Sequence, residues 1–338
     1  MSRSLRQRAL IIGPSNIGDA VLASDVVAAV HHRFSEAHLT LVVGARARRL
    51  FVEDPRVDTL VDADAFTSLG GRLKLALALW RYQPHIVVDL RHTAYPLLLA
   101  PLRVWRYLRQ PPRTIRHMRE RQLWKLRVQV PALAAASPQR EGSSGLEPLW
   151  IGAKDAGQID TLWRRWGLEG ARRLVVICPG ARSHIKRWAA EGFARVADRL
   201  IEEAGAQIVF SGEPEEESVV QEVLGCMRYR ACSDVGLTTV RQLGELMRRA
   251  QLVITNDSAS LHVASALRVP TVAIFGPTDE AKYGPTSARR RVIRRRLFCA
   301  PCERSLCRFN HECMRFISSG EVYEAARHLL DAGRRPHA

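Results

Sequence analysis

Three short segments combine residue types that hold or move charge. Near the start, Gly13-Pro14-Ser15-Asn16-Ile17-Gly18-Asp19 follows an apolar run and leads into a helical pattern. A carboxylate just beyond the first strand of an open αβ sheet can act as a general base on a bound hydroxyl. The competing reading of Asp19 is a helix cap, worth about 1 kcal/mol. The dinucleotide fingerprint is absent, because no third glycine follows Gly13 and Gly18. In the second segment, Pro179 to Trp188, Gly180 would let backbone amides approach an anion, and Arg182, Lys186 and Arg187 supply countercharge. A solvated basic loop is the alternative. The third runs from Val253 to His262 and on to Gly276-Pro277-Thr278-Asp279. There Asp257 or Ser258 starts a helix whose first amides, from Ala259 onward, can bind a diphosphate. His262 lies one turn further, either facing the same crevice or packed in the core.

Two other clusters carry charge or soft ligands. Cys299, Cys302, Cys307 and Cys313 place four thiols in fifteen residues. That density suits a structural zinc or iron site, with free thiols or a redox-dependent disulfide as the alternatives. From Arg103 to Arg127 there are nine Lys or Arg and one acid, Glu120, with Trp105, Tyr107 and Trp124 interleaved. Pro111 and Pro112 split this stretch into two basic helical pieces. Arg113, Arg116 and Arg119 are its candidate contacts to an anionic acceptor, against the reading of a solvated face. No nucleic-acid reader motif accompanies them.

The elements that would position these residues alternate. Strands are expected at Ala9–Ile12, Leu39–Val43, Thr59–Val61 and Ile86–Asp89, with helices at Ala20–Val30, Arg46–Phe51 and Leu73–Arg81. A second series has strands at Leu174–Cys178, Gln207–Phe210, Leu252–Thr255 and Thr271–Phe275. Its helices are Ala190–Ala204, Glu215–Leu224, Thr239–Arg249 and Ser258–Leu267. Such alternation indicates parallel sheets covered by helices. Ala132 to Gly145, rich in Ala, Ser and Gly, reads as the approach to a linker. We expect domains at 1–165 and 166–338, with a last helix at Ser319–Ala332 that packs back on the first.

A chain of 338 residues has room for two cores, and 46% hydrophobic with 25% charged residues is ordinary for a folded protein. The net charge of +17 favours a polyanionic partner: nucleic acid, an anionic membrane face or a phosphorylated substrate. Leu75 to Trp80 and Pro96 to Leu102 are far too short to span a bilayer. The basic start lacks a small-residue cleavage site, so a cytoplasmic location is expected, and an odd count of seven cysteines fits a reducing compartment.

Taken in order from about residue 9 to about residue 330, these motifs resemble glycosyltransferase family 9, the heptosyltransferases of lipopolysaccharide core assembly. Gly18-Asp19, Pro179-Gly180 with Lys186-Arg187-Trp188, Asn256-Asp257-Ser258 with His262, Phe275 to Asp279 and the cysteine cluster carry the resemblance. It implies an α/β GT-B architecture, two Rossmann-like domains facing across a cleft, and an inverting transfer without a catalytic cofactor. The donor would be a nucleotide diphosphate sugar, ADP-heptose first. The acceptor would be an anionic lipid-linked saccharide met at the cytoplasmic face of the inner membrane, with no nucleic acid involved. By the same resemblance Asp19 is the general base and Lys186 contacts the donor diphosphate. Asp257 binds sugar hydroxyls, Ser258 to His262 form the phosphate-facing helix start, and Glu216, with Glu217 next, holds the ribose. The departures are Ala259 in place of the usual Gly, Asp25 in place of a Pro, and Ala181-Arg182 in place of small hydroxyl residues. A nucleotide-sugar epimerase, a transferase with another donor or acceptor, and a non-catalytic polyanion-binding protein are the alternatives.

Overall fold

The computed structural model describes residues 6–134, 147–170 and 173–332, so most of the linker stretch expected at Ala132 to Gly145 lies outside the described residues. Contacts divide the chain into two units, 1–150 and 151–338. In the first, strands β1 (Arg8–Ile12), β2 (His38–Val43), β3 (Thr59–Asp62) and β4 (Ile86–Asp89) form a parallel sheet in the order β3-β2-β1-β4. β1, β2 and β4 are nearly continuous apolar runs, as befits strands covered on both faces.

The helices of this unit are α1 (Ile17–Arg33), α2 (Ala45–Phe51), α3 (Leu69–Tyr82), α4 (Tyr95–Leu99), α5 (Trp105–Leu108) and α6 (Met118–Gln129). α3 begins four residues before the expected Leu73. Ser68 Oγ caps it by accepting from Gly71 N at 3.0 Å, a start obscured in the sequence by Gly70-Gly71. Its Leu75 and Leu79 pack on Leu10, Ile12 and Val42 of the sheet. The basic stretch is two helices, α5 and α6, separated across Pro111-Pro112.

The second unit contains α7 (Ala153–Arg165), β5 (Leu174–Cys178), α8 (Ala190–Ala204), β6 (Gln207–Phe210), α9 (Glu217–Gly225) and β7 (Cys232–Ser233). It continues with α10 (Val240–Arg249), β8 (Leu252–Asn256), α11 (Ala259–Ala266), β9 (Thr271–Phe275) and α12 (Glu280–Tyr283), and ends with β10 (Arg290–Arg294), α13 (Glu312–Arg315) and α14 (Ser319–Ala332). Its sheet runs β10-β9-β8-β5-β6-β7, all parallel.

Two boundaries differ from expectation. α7 falls in the second unit, not the first, because it packs on α10 and its buried Asp155 pairs with Arg241 at 3.1 Å. The last helix packs within its own unit: Val322, Tyr323, Ala326 and Leu329 join the core around α8, and Tyr323 Oη donates to Glu203 at 2.7 Å. Among the described residues no helix is long and apolar enough to cross a membrane.

Candidate functional site

In the second sheet the chain leaves β5 toward β6 on one side and leaves β8 toward β9 on the other, so the loops that follow these adjacent strands diverge. Such a reversal opens a crevice at the carboxyl ends of the strands. Asn256, the fully buried last residue of β8, holds both ends of the loop after β5. Its Nδ2 donates to Pro179 O at 2.7 Å and its Oδ1 accepts from Trp188 N at 3.2 Å. Trp188 is itself fixed, its Nε1 donating to Ile317 O at 3.1 Å and its ring meeting Phe193 edge-on. The loop therefore cannot drift, and Lys186 is delivered to Asp257 with Nζ 2.7 Å from Oδ2. The carboxylate is 5% exposed and the lysine 32%, so the ammonium still reaches solvent. Arg182 is exposed, whereas Arg187 braces the loop by donating to Ala181 O at 2.8 Å.

Gly180 is required by close approach. A Cβ there would lie 2.1 Å from the Glu216 carboxyl carbon. Glu216 closes the 3-10 turn Pro214–Glu216, accepts from Glu213 N at 3.1 Å, and has its pKa raised, chiefly by burial. Glu217 is exposed and accepts from Gln221, so Glu216 is the acid held at this loop.

The start of α11 completes the crevice. Ser258 is its extended N-cap, with its Oγ 3.3 Å from Thr255 Oγ1 and no side-chain bond to a helix amide. Ala259 is the first helical residue, a conformation that accepts a Cβ. His262 is buried, with its ring 6.5 Å from that of Tyr283.

Two residues at this end of the sheet escaped the sequence reading. Asn256 stood within a quoted motif, but its bridging role depends on partners 68 and 77 residues away. Asp234, fully buried, follows β7 and accepts from Thr238 Oγ1 at 3.0 Å; burial pushes its pKa up to about 6. A strand of two residues gives no readable pattern.

In the first unit the order reverses between β1 and β4. Asp19 is half-buried in the first turn of α1, and its Oδ2 accepts from Asn16 Nδ2 at 3.3 Å. The N-cap position belongs to Asn16, not to Asp19. Arg113 and Arg116 are exposed before α6. Arg119 is engaged inside the unit: its Nε and Nη2 donate to the two oxygens of Asp25 at 2.7 and 3.0 Å. Asp25 thus ties α1 to α6, and Arg119 is engaged in that tie.

The four clustered cysteines are all free thiols. Cys299, Cys302 and Cys307 are partly exposed, while Cys313 is buried behind Gly276, where an added Cβ would lie 3.2 Å from its Sγ. Cys307 Sγ donates to Phe309 O. Burial, then the neighbouring thiols, raise the Cys313 pKa. Among the described residues no group of three or more His, Cys, Asp or Glu is arranged to hold a metal ion.

Residues 118–312 match the family model described as glycosyltransferase family 9 (heptosyltransferase). Lipopolysaccharide heptosyltransferase 2 of Escherichia coli K12 is 28% identical over 304 residues, covering 84% of this chain and 87% of that relative. The solved structure of a family 9 glycosyltransferase from Veillonella parvula covers 98% of this chain and 100% of its own at 23% identity, with a TM-score of 0.75. That of E. coli ADP-heptose lipopolysaccharide heptosyltransferase II covers 97% and 100% at 24% identity, with a TM-score of 0.74. These likenesses fix the fold as GT-B.

Proposed function

The chain belongs to glycosyltransferase family 9, the heptosyltransferase family, and from that membership we propose that it transfers a heptose from ADP-heptose to a lipopolysaccharide core acceptor, with inversion and without a catalytic metal. The observation that carries the donor half is the β5/β8 crevice, where Asn256 and the Lys186–Asp257 pair gather a cation, a buried carboxylate and a helix start.

The chemistry follows from where charge grows. As the bond from the anomeric carbon to the diphosphate breaks, negative charge collects on the leaving group. Lys186, Arg182 and the first amides of α11 stabilise that charge more in the transition state than before it. Asp257 holds Lys186 in place and takes sugar hydroxyls, while Glu216 beside Gly180 takes the ribose. Asp19 accepts the proton of the attacking acceptor hydroxyl, assistance worth roughly a hundredfold to ten-thousandfold. Exposed Arg113 and Arg116 attract the anionic acceptor, which is lipid-linked and met at the cytoplasmic face of the inner membrane.

The test is a product assay with ADP-heptose, GDP-mannose or UDP-N-acetylglucosamine, each with and without a lipid A core acceptor. Transfer is expected from ADP-heptose only, and only with acceptor, with the anomeric configuration inverted and the rate unchanged by chelator. Consumption of a nucleotide sugar without acceptor would instead establish the epimerase reading.

A further inference from the structure

α3 is apolar on two faces and buries one. Leu75 and Leu79 point into the core, yet Leu69, Leu73, Leu77 and Trp80 are 86, 61, 44 and 51% exposed. At 100° per residue these four fall in a stripe about 80° wide along the outer side of the helix. α4 packs beside α3, and the chain from α4 to α5 adds exposed Leu97, Leu102, Trp105 and Leu108. Folded proteins rarely leave so many large apolar side chains contiguous and in water.

Charge identifies what covers them. From Leu69 to Arg119 the sequence holds a single carboxylate, Asp89, and it is fully buried. The same stretch exposes Arg72, Lys74, Arg81, Arg103 and Arg109. Arg106 lies over Trp105 with its guanidinium carbon 5.3 Å from the ring centre. A protein partner of mixed charge would meet no acceptor for its own cations here. An anionic bilayer presents what this face lacks, phosphates at the level of the arginines and hydrocarbon just beneath. Tryptophan and arginine, with an apolar body and a polar tip, suit that boundary.

We propose that the outer face of α3, with the adjoining α4–α5 stretch, docks on an anionic lipid bilayer. The leucines and Trp80 enter the headgroup boundary, and the flanking arginines and Lys74 pair with lipid phosphates. The inference deepens the reading that the acceptor is lipid-linked and rests on that reading only for its biological sense.

Flotation of the full chain with acceptor-free vesicles tests it. Vesicles of phosphatidylethanolamine and phosphatidylglycerol are expected to carry the protein, and vesicles of phosphatidylcholine are not. Leu73→Ser with Leu77→Ser and Trp80→Gln should lower the bound fraction at least tenfold. Arg72→Glu with Arg81→Glu, on side chains the core does not use, should lower it severalfold and remove most of its salt dependence. The proposal is overturned if the wild type ignores anionic vesicles or if both variants float like it. It is equally overturned if light scattering shows a wild-type dimer that the triple variant splits, since the face would then belong to a second copy. Because the vesicles contain neither donor nor acceptor, failure here leaves the transferase reading untouched, and failure of transfer leaves this one untouched.

Discussion

At the β5/β8 crevice side chains join one strand-end loop to another, whereas at the β1/β4 crevice the carboxylates of Asp19 and Asp89 bond within their own loops. There the end of β4 is tied to α6, where Gln129 pairs with Asp89 N and O and Lys125 Nζ donates to Leu90 O. Asn256 spans from the end of β8 to Pro179 and Trp188, and Asp257 reaches Lys186. In the first unit Asp89 instead folds its own turn, accepting from Arg91 N at 2.9 Å and from Thr93 N at 2.6 Å, and Asp19 meets Asn16 three residues away. Cross-loop bonds fix side chains against one another and reduce what a ligand must order on binding. Local turns fix each loop but leave their side chains to adapt. A small nucleotide sugar suits the first arrangement and a large saccharide the second.

If this contrast is functional, the largest single loss should come from the half whose carboxylates bond within their own loops. Asp19→Asn keeps size and polarity while removing the base. We expect kcat to fall at least a hundredfold, with affinity for the product nucleotide diphosphate unchanged in calorimetric titration. Retention of half the activity would break the comparison on that side.

Lys186→Ala probes the tied half, where one change should be felt in both binding and stability. It removes a cation from the crevice and leaves a 5% exposed carboxylate without its partner. Affinity for the nucleotide diphosphate should weaken roughly tenfold to fiftyfold, as loss of a charged hydrogen bond does. The melting temperature should fall alongside it. Unchanged nucleotide affinity would remove Lys186 from the donor site.

The smallest effect sharpens how tightly the second crevice is built. Asp234 has a folded pKa of about 6 against an ordinary 3.8, so the fold disfavours its ionised form. Stability then declines as pH rises from about 4 to about 6, and the penalty is complete above that. Asp234→Asn removes it and still accepts from Thr238. The variant should match the wild type near pH 4 and melt a few degrees higher at pH 7.5, for about 1 kcal/mol gained. Equal melting at both values would show that the carboxylate is already satisfied.

Much of this was legible in the sequence, because buried parallel strands are uninterrupted apolar runs. Leu174–Cys178, Gln207–Phe210 and Thr271–Phe275 read as strands with the ends the structure gives them. The segments proposed to hold the donor also lie on consecutive residues, so they stand out as candidates in the sequence. What stayed hidden depended on distant partners or on conflicting composition. Asp25 looked like an unexplained substitution until Arg119, 94 residues on, supplied its reason. β10, with three arginines in five residues, carries no apolar strand pattern, and the periodicity of α3 shows that a face is apolar but not whether anything covers it. The cysteine spacing shows a cluster, and only the structure shows that Cys313 is its buried member, set behind Gly276.

The arginines of β10 have a consequence for crowding. A protein gathered on any surface is held at high local concentration, and an open sheet edge is then a template for a neighbour's strand. β10 closes one edge of the six-stranded sheet with Arg290 and Arg291 exposed, while Arg294 turns back to Glu280 at 3.0 Å. A second copy approaching along that edge would bring the same positive row against it. The opposite edge, β7, is two residues long and too short to recruit a partner. Copies of this chain can therefore be packed side by side without their six-stranded sheets joining.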